Sequence, residues 1–338
     1  MNNRAQELKN WCSQQSLIKN QTFDFSMVSG DASFRRYFRV QLATISYIAV
    51  DAPPEHENSQ QFCKVAALFS AQGVCVPEVL AKDFSLGYML LSDLGDRQLL
   101  AEINQQNAQQ YYDLAFREII KLQSAVTQAG TLPLYDFEKL MQEMSLFQDW
   151  FIASLLHLEL NEAEKILILN TQKIIAEKVL NQKQVYVHRD FHSRNLMIIE
   201  KNNELKIALI DFQDAVIGSI TYDAVSLLKD CYIEWPKVKR KQYLESYYLQ
   251  LSNNGIISRD KSFNDFYQDF ELMGLQRHLK ILGIFARLSI RDHKNGYLKD
   301  LPLTFKYIEE ALPGFPEFKT FSDFFLIKVK NKFESVNL

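Results

Sequence analysis

His188-Arg189-Asp190-Phe191-His192-Ser193-Arg194-Asn195 lies between two short apolar runs and sets an acid five positions before an amide. Sixteen positions later, Ala208-Leu209-Ile210-Asp211-Phe212-Gln213 places a second acid at the end of an apolar strand. Singly, such an Asp or Asn is an ordinary loop residue that caps or turns the backbone. Jointly, in that spacing and strand context, they match a catalytic loop of the form H-R-D-x-x-x-x-N followed by a strand-end aspartate.

That pattern suits phosphoryl transfer, which needs little covalent help from protein but much positioning and charge neutralisation. Magnesium is a hard cation that takes oxygen ligands, and Asn195 with Asp211 offers one amide and one carboxylate oxygen while leaving room for phosphate and water. Asp190 is expected to accept the proton of the attacking hydroxyl. His188 is expected to brace the loop, and His188 and Asn195 join Asp190 in the catalytic set.

Working outward, residues 4–19 read as a short helix, and 25–28, 37–40 and 47–50 as three strands. A helix over 58–72 follows, with Phe62, Val65, Ala66 and Phe69 at i, i+3, i+4 and i+7 and Gly73 as its stop. Strands at 79–82 and 88–91 complete a small sheet. Beyond Ser92-Asp93-Leu94-Gly95 the patterns turn helical, at 105–128, 136–158 and 161–182. Short strands return at 185–187, 196–200 and 206–210, and helices resume at 222–231, 238–251, 264–293, 303–311 and 319–332. The expectation is an α+β, bilobal protein-kinase-like fold. Its N-terminal nucleotide-binding lobe, 1–95, carries a small antiparallel sheet, with a hinge at about 91–95; its C-terminal lobe, 96–338, is mostly helical and holds the catalytic loop and substrate site.

Within the first lobe, Ser29-Gly30-Asp31-Ala32-Ser33 stands where a phosphate-covering loop would lie, although it has a single glycine. Gly30 and Ser33 are its candidate nucleotide contacts, and a plain hairpin turn is the other reading. Arg35, Arg36 and Arg39 are within reach of phosphate oxygens, or are solvated strand ends. The third strand carries no lysine to pair with nucleotide phosphates, and the helix after it has no glutamate to receive one. Losing both together avoids an unpaired buried charge. Lys64, Arg36 or Arg39 is the expected substitute, and Arg36 joins the nucleotide set. Leu91, Ser92 and Leu94 at the hinge are expected beside adenine.

Bulk properties narrow the class. At 47% hydrophobic and 23% charged residues the chain is ordinary for a globular protein, so disorder is not the default. A net charge of -3 gives no field to recruit nucleic acid or an anionic membrane. Cys12, Cys63, Cys75 and Cys231 show neither a CxxC spacing nor a compact framework, which speaks against a disulfide scaffold or zinc site. No apolar run approaches the roughly 18 residues that span a bilayer, and a cytoplasmic location is expected. Oligomeric state stays open.

One helix bears on the substrate. Over about 272–293, Arg277, Lys280, Arg287 and Arg291 fall in a stripe roughly 80° wide, while Leu275, Leu279, Leu282, Phe285 and Ile290 make most other faces apolar. A helix apolar nearly all round is buried, so its cations face either a polar cleft or paired acids such as Asp292 or Glu271. With Arg194 of the loop, these four are the candidate substrate contacts, suited to an anionic acceptor.

Asp190 to Asn195, then Ile210-Asp211-Phe212-Gln213-Asp214-Ala215 with Gly218 and Tyr222-Asp223, resemble the aminoglycoside phosphotransferase and choline kinase superfamily more than protein kinases. Gln213 stands where protein kinases have Gly, and no A-P-E segment follows. Within the superfamily, residues 30–39, Asp51-Ala52-Pro53-Pro54, Leu90-Leu91-Ser92-Asp93-Leu94-Gly95 and Gln276-Arg277-His278-Leu279-Lys280 are similar to the bacterial anomeric kinases of peptidoglycan recycling, which act on N-acetylmuramate and N-acetylglucosamine. The likeness runs from about 28 to about 312. It implies ATP, Mg2+ and a small-molecule amino sugar phosphorylated at its C1 hydroxyl, with Asp190 as base and Asn195 and Asp211 as metal ligands. An aminoglycoside acceptor is the rival, disfavoured because polycations need an acidic pocket. A non-catalytic nucleotide-binding regulator is the alternative of another class.

Overall fold

The computed structural model describes residues 3–29 and 34–336. In chain order these begin with α1 (Asn3–Gln14), β1 (Asp24–Ser29), β2 (Arg36–Gln41), β3 (Ser46–Asp51), α2 (Ser59–Ala71), β4 (Val79–Asp83), β5 (Tyr88–Ser92) and the short α3 (Leu99–Glu102). There follow α4 (Ala108–Gln123), α5 (Phe137–Leu146), α6 (Glu162–Leu180), β6 (Gln184–Val187), β7 (Leu196–Lys201), β8 (Glu204–Leu209) and β9 (Val216–Ser219). The chain ends with α7 (Tyr222–Leu228), α8 (Lys237–Asn253), α9 (Phe263–Ile290), α10 (Leu301–Ala311), α11 (Lys319–Phe324) and α12 (Lys330–Glu334). Two compact units result. One comprises the chain up to Glu102 together with Arg194–Asp214; the other comprises Ile103–Ser193 and everything from Ala215 onward.

In the first unit the five strands form an antiparallel sheet in the order β1-β2-β3-β5-β4. Alternation sends Phe38, Val40, Ala49 and Leu90 to one side, where Ala5, Leu8 and Cys12 of α1 cover them. α2 starts on Asn58, whose side chain accepts from the Gln61 N–H. It stops at Gly73, which takes the left-handed φ of +74°, with the Val74 N–H returning to the Phe69 carbonyl at 3.1 Å. β7 and β8 make a hairpin whose turn residues Asn202 and Asn203 both have positive φ, the conformation a two-residue turn requires.

α9 is the spine of the second unit. It is buried nearly all round and packs against α5, α6, α7 and α10. Its cap is Ser262, whose hydroxyl accepts from the Asp265 N–H at 3.1 Å. α6 opens on a reciprocal Asn161–Glu164 capping box. Where the pattern over 136–158 reads as one helix, the structure loosens after α5 into a π-helix, Phe147–Leu155. The expected final helix over 319–332 is likewise divided, by a π-helical turn at Phe325–Val329. β9, which the sequence reading lacks, pairs with β6. Among the described residues no helix is long and apolar enough to cross a membrane.

Gly283 marks the closest approach within this unit. A Cβ there would run into the backbone carbonyl of Leu146 at the end of α5. Backbone cannot swing aside as a side chain can, so Gly283→Ala is expected to cost about 1–3 kcal/mol by overpacking. A thermal melt of the variant, set against Gly274→Ala, where the facing atom is the tip of the Lys229 side chain at 3.2 Å, checks it.

Candidate active site

In the first unit, the Asn195 carbonyl accepts from the Ile210 N–H at 3.0 Å, and the Leu209 N–H reaches the Cys75 carbonyl at 2.8 Å. These bonds hold the end of β8 beside the start of β7. Asp211 then takes a positive φ of +64°, uncommon for a residue with a Cβ, which turns the chain out of the strand. Phe212 is fully buried against Phe62 and Phe69 of α2, with ring centroids 4.9 and 5.7 Å away. Burial of this ring fixes the turn, and Asp211 remains exposed beside it. Asn195 Nδ2 lies 3.3 Å from Asp211 Oδ2, and Gln213 Nε2 donates to Oδ1 at 2.8 Å.

The basic residues of this unit are distributed by the acids around them. Asp51 is fully buried and takes two arginines: Arg4 on Oδ1, at 3.1 Å from Nε and 2.7 Å from Nη2, and Arg36 on Oδ2. The β2–β3 register sets Arg36 directly opposite Asp51. Arg39 bridges Asp93 at 2.6 Å and Asp96 at 2.8 Å, while Ser46 also donates to Asp93 at 2.7 Å. Both arginines are thereby committed to carboxylates, Arg39 tying down the segment after β5. There the Leu91 side chain is buried, Ser92 and Leu94 are half-buried, and the Ser92 N–H bonds the Glu78 carbonyl at 2.9 Å. Gly30 and Ser33 fall outside the described residues.

In the second unit the backbone of the His188–Ser193 loop is gripped by two acids. Asp223, at the start of α7, accepts the His188 N–H at 2.8 Å and the Arg189 N–H at 3.1 Å. Asp230 accepts both the N–H and the hydroxyl of Ser193, at 2.9 and 2.5 Å. Arg189 has φ +74°, and its reversal separates the buried His188, set edge-on to Phe191, from the half-buried Asp190. Burial pushes the Asp223 carboxyl up to about 7; the Asp190 charge pushes the same way, against the two N–H bonds and Arg277.

Arg277 and Lys280 of α9 are buried, and the sequence-derived stripe divides along its length. Both cations donate to the Tyr222 hydroxyl at 3.1 Å, and Arg277 also donates to the Arg189 carbonyl at 3.2 Å. Glu143 of α5 pairs with Arg189 at 2.6 Å and Lys280 at 3.0 Å, and Tyr135 donates to it. Arg287 is half-buried; Arg291 is exposed and pairs with Asp292 at 2.8 Å. Glu271 pairs instead with Lys229, at 2.8 Å. Arg194, the other candidate substrate contact, belongs to the first unit, where its carbonyl accepts from Gln98 at 2.5 Å. Glu143, Tyr135 and Tyr222 are site-side residues that the sequence reading did not assign. A signal for Glu143 existed: it is an acid on the buried face of α5, between Leu140 and Met144.

Desolvation raises the Asp190 carboxyl, yet His192, Lys280, Arg277 and Arg189 together outweigh it and hold the group below the usual carboxylate range. Asp190 is therefore an anion at neutral pH, able to accept a proton from a hydroxyl in contact with it.

An acid–amide loop and a strand-end aspartate in this spacing, on a kinase-like α+β framework, are features of a phosphotransferase. The pattern of the phosphotransferase enzyme family matches residues 24–253, and the chain belongs to that family. It is 42% identical over 289 residues to an N-acetylmuramate/N-acetylglucosamine kinase of Pseudomonas aeruginosa, spanning 86% of this chain and 84% of that one. A protein of the same name from Neisseria meningitidis serogroup B is 37% identical over 319 residues, 93% and 92% of the two chains. Among solved structures, a choline kinase from Streptococcus pneumoniae superposes with TM-score 0.62 at 13% identity, over 90% of this chain and 99% of that one. An ADP-bound aminoglycoside phosphotransferase gives 0.59 at 14% identity, over 90% and 98%. At such identities the structural likeness speaks of fold alone.

The charge balance around Asp190 can be tested directly. A depressed folded-state pKa contributes stability that is present above the unfolded value of about 3.9 and is lost as pH falls through the folded one. Lys280→Met removes one of the cations, so the Asp190 titration should move to higher pH, read from its carboxyl-carbon NMR shift. Arg291→Ala, altering an exposed pair, should leave it in place.

Proposed function

We propose that this chain is an ATP-dependent sugar kinase that phosphorylates the anomeric hydroxyl of N-acetylmuramate, N-acetylglucosamine or both, in the recycling of cell-wall sugars in the cytoplasm. The carrying observation is identity of 37–42% to kinases of that name over 84–93% of their length. The sequence of the loop and of the strand-end acid supports the same chemistry.

In the reaction, the acceptor oxygen forms a bond to the γ-phosphorus as the bond to the β–γ bridging oxygen breaks, ADP departs, and the hydroxyl proton passes to Asp190. Asp190 is suited to this by its ionisation, and His188 and the Asp223 grip on the loop backbone keep it in place. Asn195 and Asp211 would hold Mg2+. The donor set fits: one amide and one carboxylate are hard oxygen ligands, too few to enclose an ion that needs phosphate and water as well. When bound, the ion would neutralise charge on the phosphate oxygens. Leu91 to Leu94 would receive adenine, making the segment after β5 a hinge between a nucleotide lobe and a substrate lobe.

The arginines and lysine of α9 have a double reading. Buried and paired as they are, Arg277 and Lys280 support the catalytic loop, and their positive potential also favours an acceptor bearing a carboxylate, as N-acetylmuramate does.

The decisive assay is incubation with ATP, Mg2+ and each amino sugar. A sugar 1-phosphate is the expected product; a 6-phosphate, or ADP release only with aminoglycosides, would refute the assignment. Asp190→Ala should lower kcat by about a hundredfold or more with ADP affinity retained, the scale of losing a general base. Asp211→Ala should lose the Mg2+ dependence of nucleotide binding as well.

A further inference from the structure

β3, Ser-Tyr-Ile-Ala-Val-Asp from 46 to 51, contains no basic residue, and α2, 59 to 71, contains no acid. A kinase that neutralises nucleotide phosphates with a braced cation must then build that pair elsewhere. Among the candidates, Arg36 is committed to Asp51 and Arg39 to Asp93 and Asp96, while Lys64 is exposed on α2.

Arg35 is different. It is 4% exposed and its Nη2 lies 3.0 Å from Glu57 Oε2, immediately ahead of the Asn58 cap of α2. The preceding residues are matched in the same way, since Phe34 stacks on His56 with ring centroids 4.1 Å apart. Two consecutive residues of the strand entry are thus pinned to two consecutive residues of the helix entry. The Arg35 guanidinium lies over the Phe62 ring at 5.6 Å, and Phe62 packs on Phe212, the direct neighbour of Asp211. Arg35 donates to the Tyr37 hydroxyl, which is within electrostatic reach of Asp211. Everything in this chain of contacts belongs to the first unit.

We propose that Arg35, braced by Glu57, is the cation that meets the nucleotide phosphates, in place of the lysine that β3 lacks; this rests on the kinase reading above. A buried ion pair is weak evidence of a stabilising role, because apolar residues of like volume commonly replace it without loss. Its position beside the turn that carries Asp211 gives it work of another kind. Arginine suits that work: its planar fork of five donors serves a carboxylate and a phosphate oxygen at once. Glu57 limits the side chain to one orientation and offsets the burial of its charge. The brace has moved just outside the helix, which is why α2 itself shows no acid.

The test compares adenosine with ADP on the full chain by calorimetry. The double variant Arg35→Met/Glu57→Met removes the pair without orphaning either charge, and its melting curve reports whether it is folded. Folded protein should bind ADP at least about tenfold more weakly than wild type and bind adenosine unchanged, the pattern of a lost phosphate contact. Equal weakening for both ligands, or ADP affinity within about twofold of wild type, overturns the proposal. Should the double variant not fold, Arg35→Lys, which keeps the charge and shortens the reach, carries the same comparison with the same outcomes. Wild type that binds ADP yet phosphorylates no sugar would refute the kinase reading while leaving the ADP-to-adenosine comparison able to judge Arg35.

Discussion

A charge taken out of water must meet an opposite charge or a set of N–H donors, and in this protein that requirement acts mostly through buried and half-buried acids. Asp51, Glu57, Glu143, Asp223 and Asp230 each sit at an element boundary or on a packed helix face, and each secures something that the apolar core cannot position by itself. Hydrophobic burial is non-directional, so it collapses a helix onto a sheet without fixing which way a loop backbone faces. Carboxylates supply the direction, because their oxygens accept along defined lines.

The His188–Ser193 loop illustrates this. Its two ends are anchored by Asp223 and Asp230, so the peptide groups of His188, Arg189 and Ser193 are fixed before any ligand arrives. The positive φ of Arg189 is held by that anchoring, and its guanidinium is held by Glu143. Around Asp190 the surrounding cations outweigh the desolvation cost, whereas Asp223, a short distance along the same network, is raised by burial and by the charge of Asp190. Two carboxyl groups in one unit are pushed in opposite directions by their surroundings, which separates a group able to take a proton from one that orients backbone.

In the first unit the same logic allocates the arginines. Four of them, Arg4, Arg35, Arg36 and Arg39, meet four acids in different patterns. Two share Asp51, one spans Asp93 and Asp96, and one stands apart with Glu57, over the aromatic contacts that lead to Asp211. Nothing in the local sequence distinguishes Arg35 from Arg36, since they are adjacent and identical. Tertiary structure does so: Arg36 opens β2 and meets Asp51 across the sheet, whereas Arg35, just ahead of the strand, meets Glu57 just ahead of α2.

Much of the fold was legible in the residues themselves. The 3.6-residue and 2-residue periods of α2, α9 and the strands are local properties, and so are the stop at Gly73 and the acid–amide spacing across 190–195. Those patterns determined the order of elements, the burial of α9 and the class of chemistry. The tertiary structure decided the π-helical breaks, the β6–β9 pairing and the ion partners that basic residues find far along the chain. Glu143 with Arg189, or Glu57 with Arg35, are separated along the chain by distances that no local pattern spans. A charge does not record in sequence which opposite charge it will meet; packing chooses the partner by bringing two elements together, and the cost of leaving either one alone makes that choice binding.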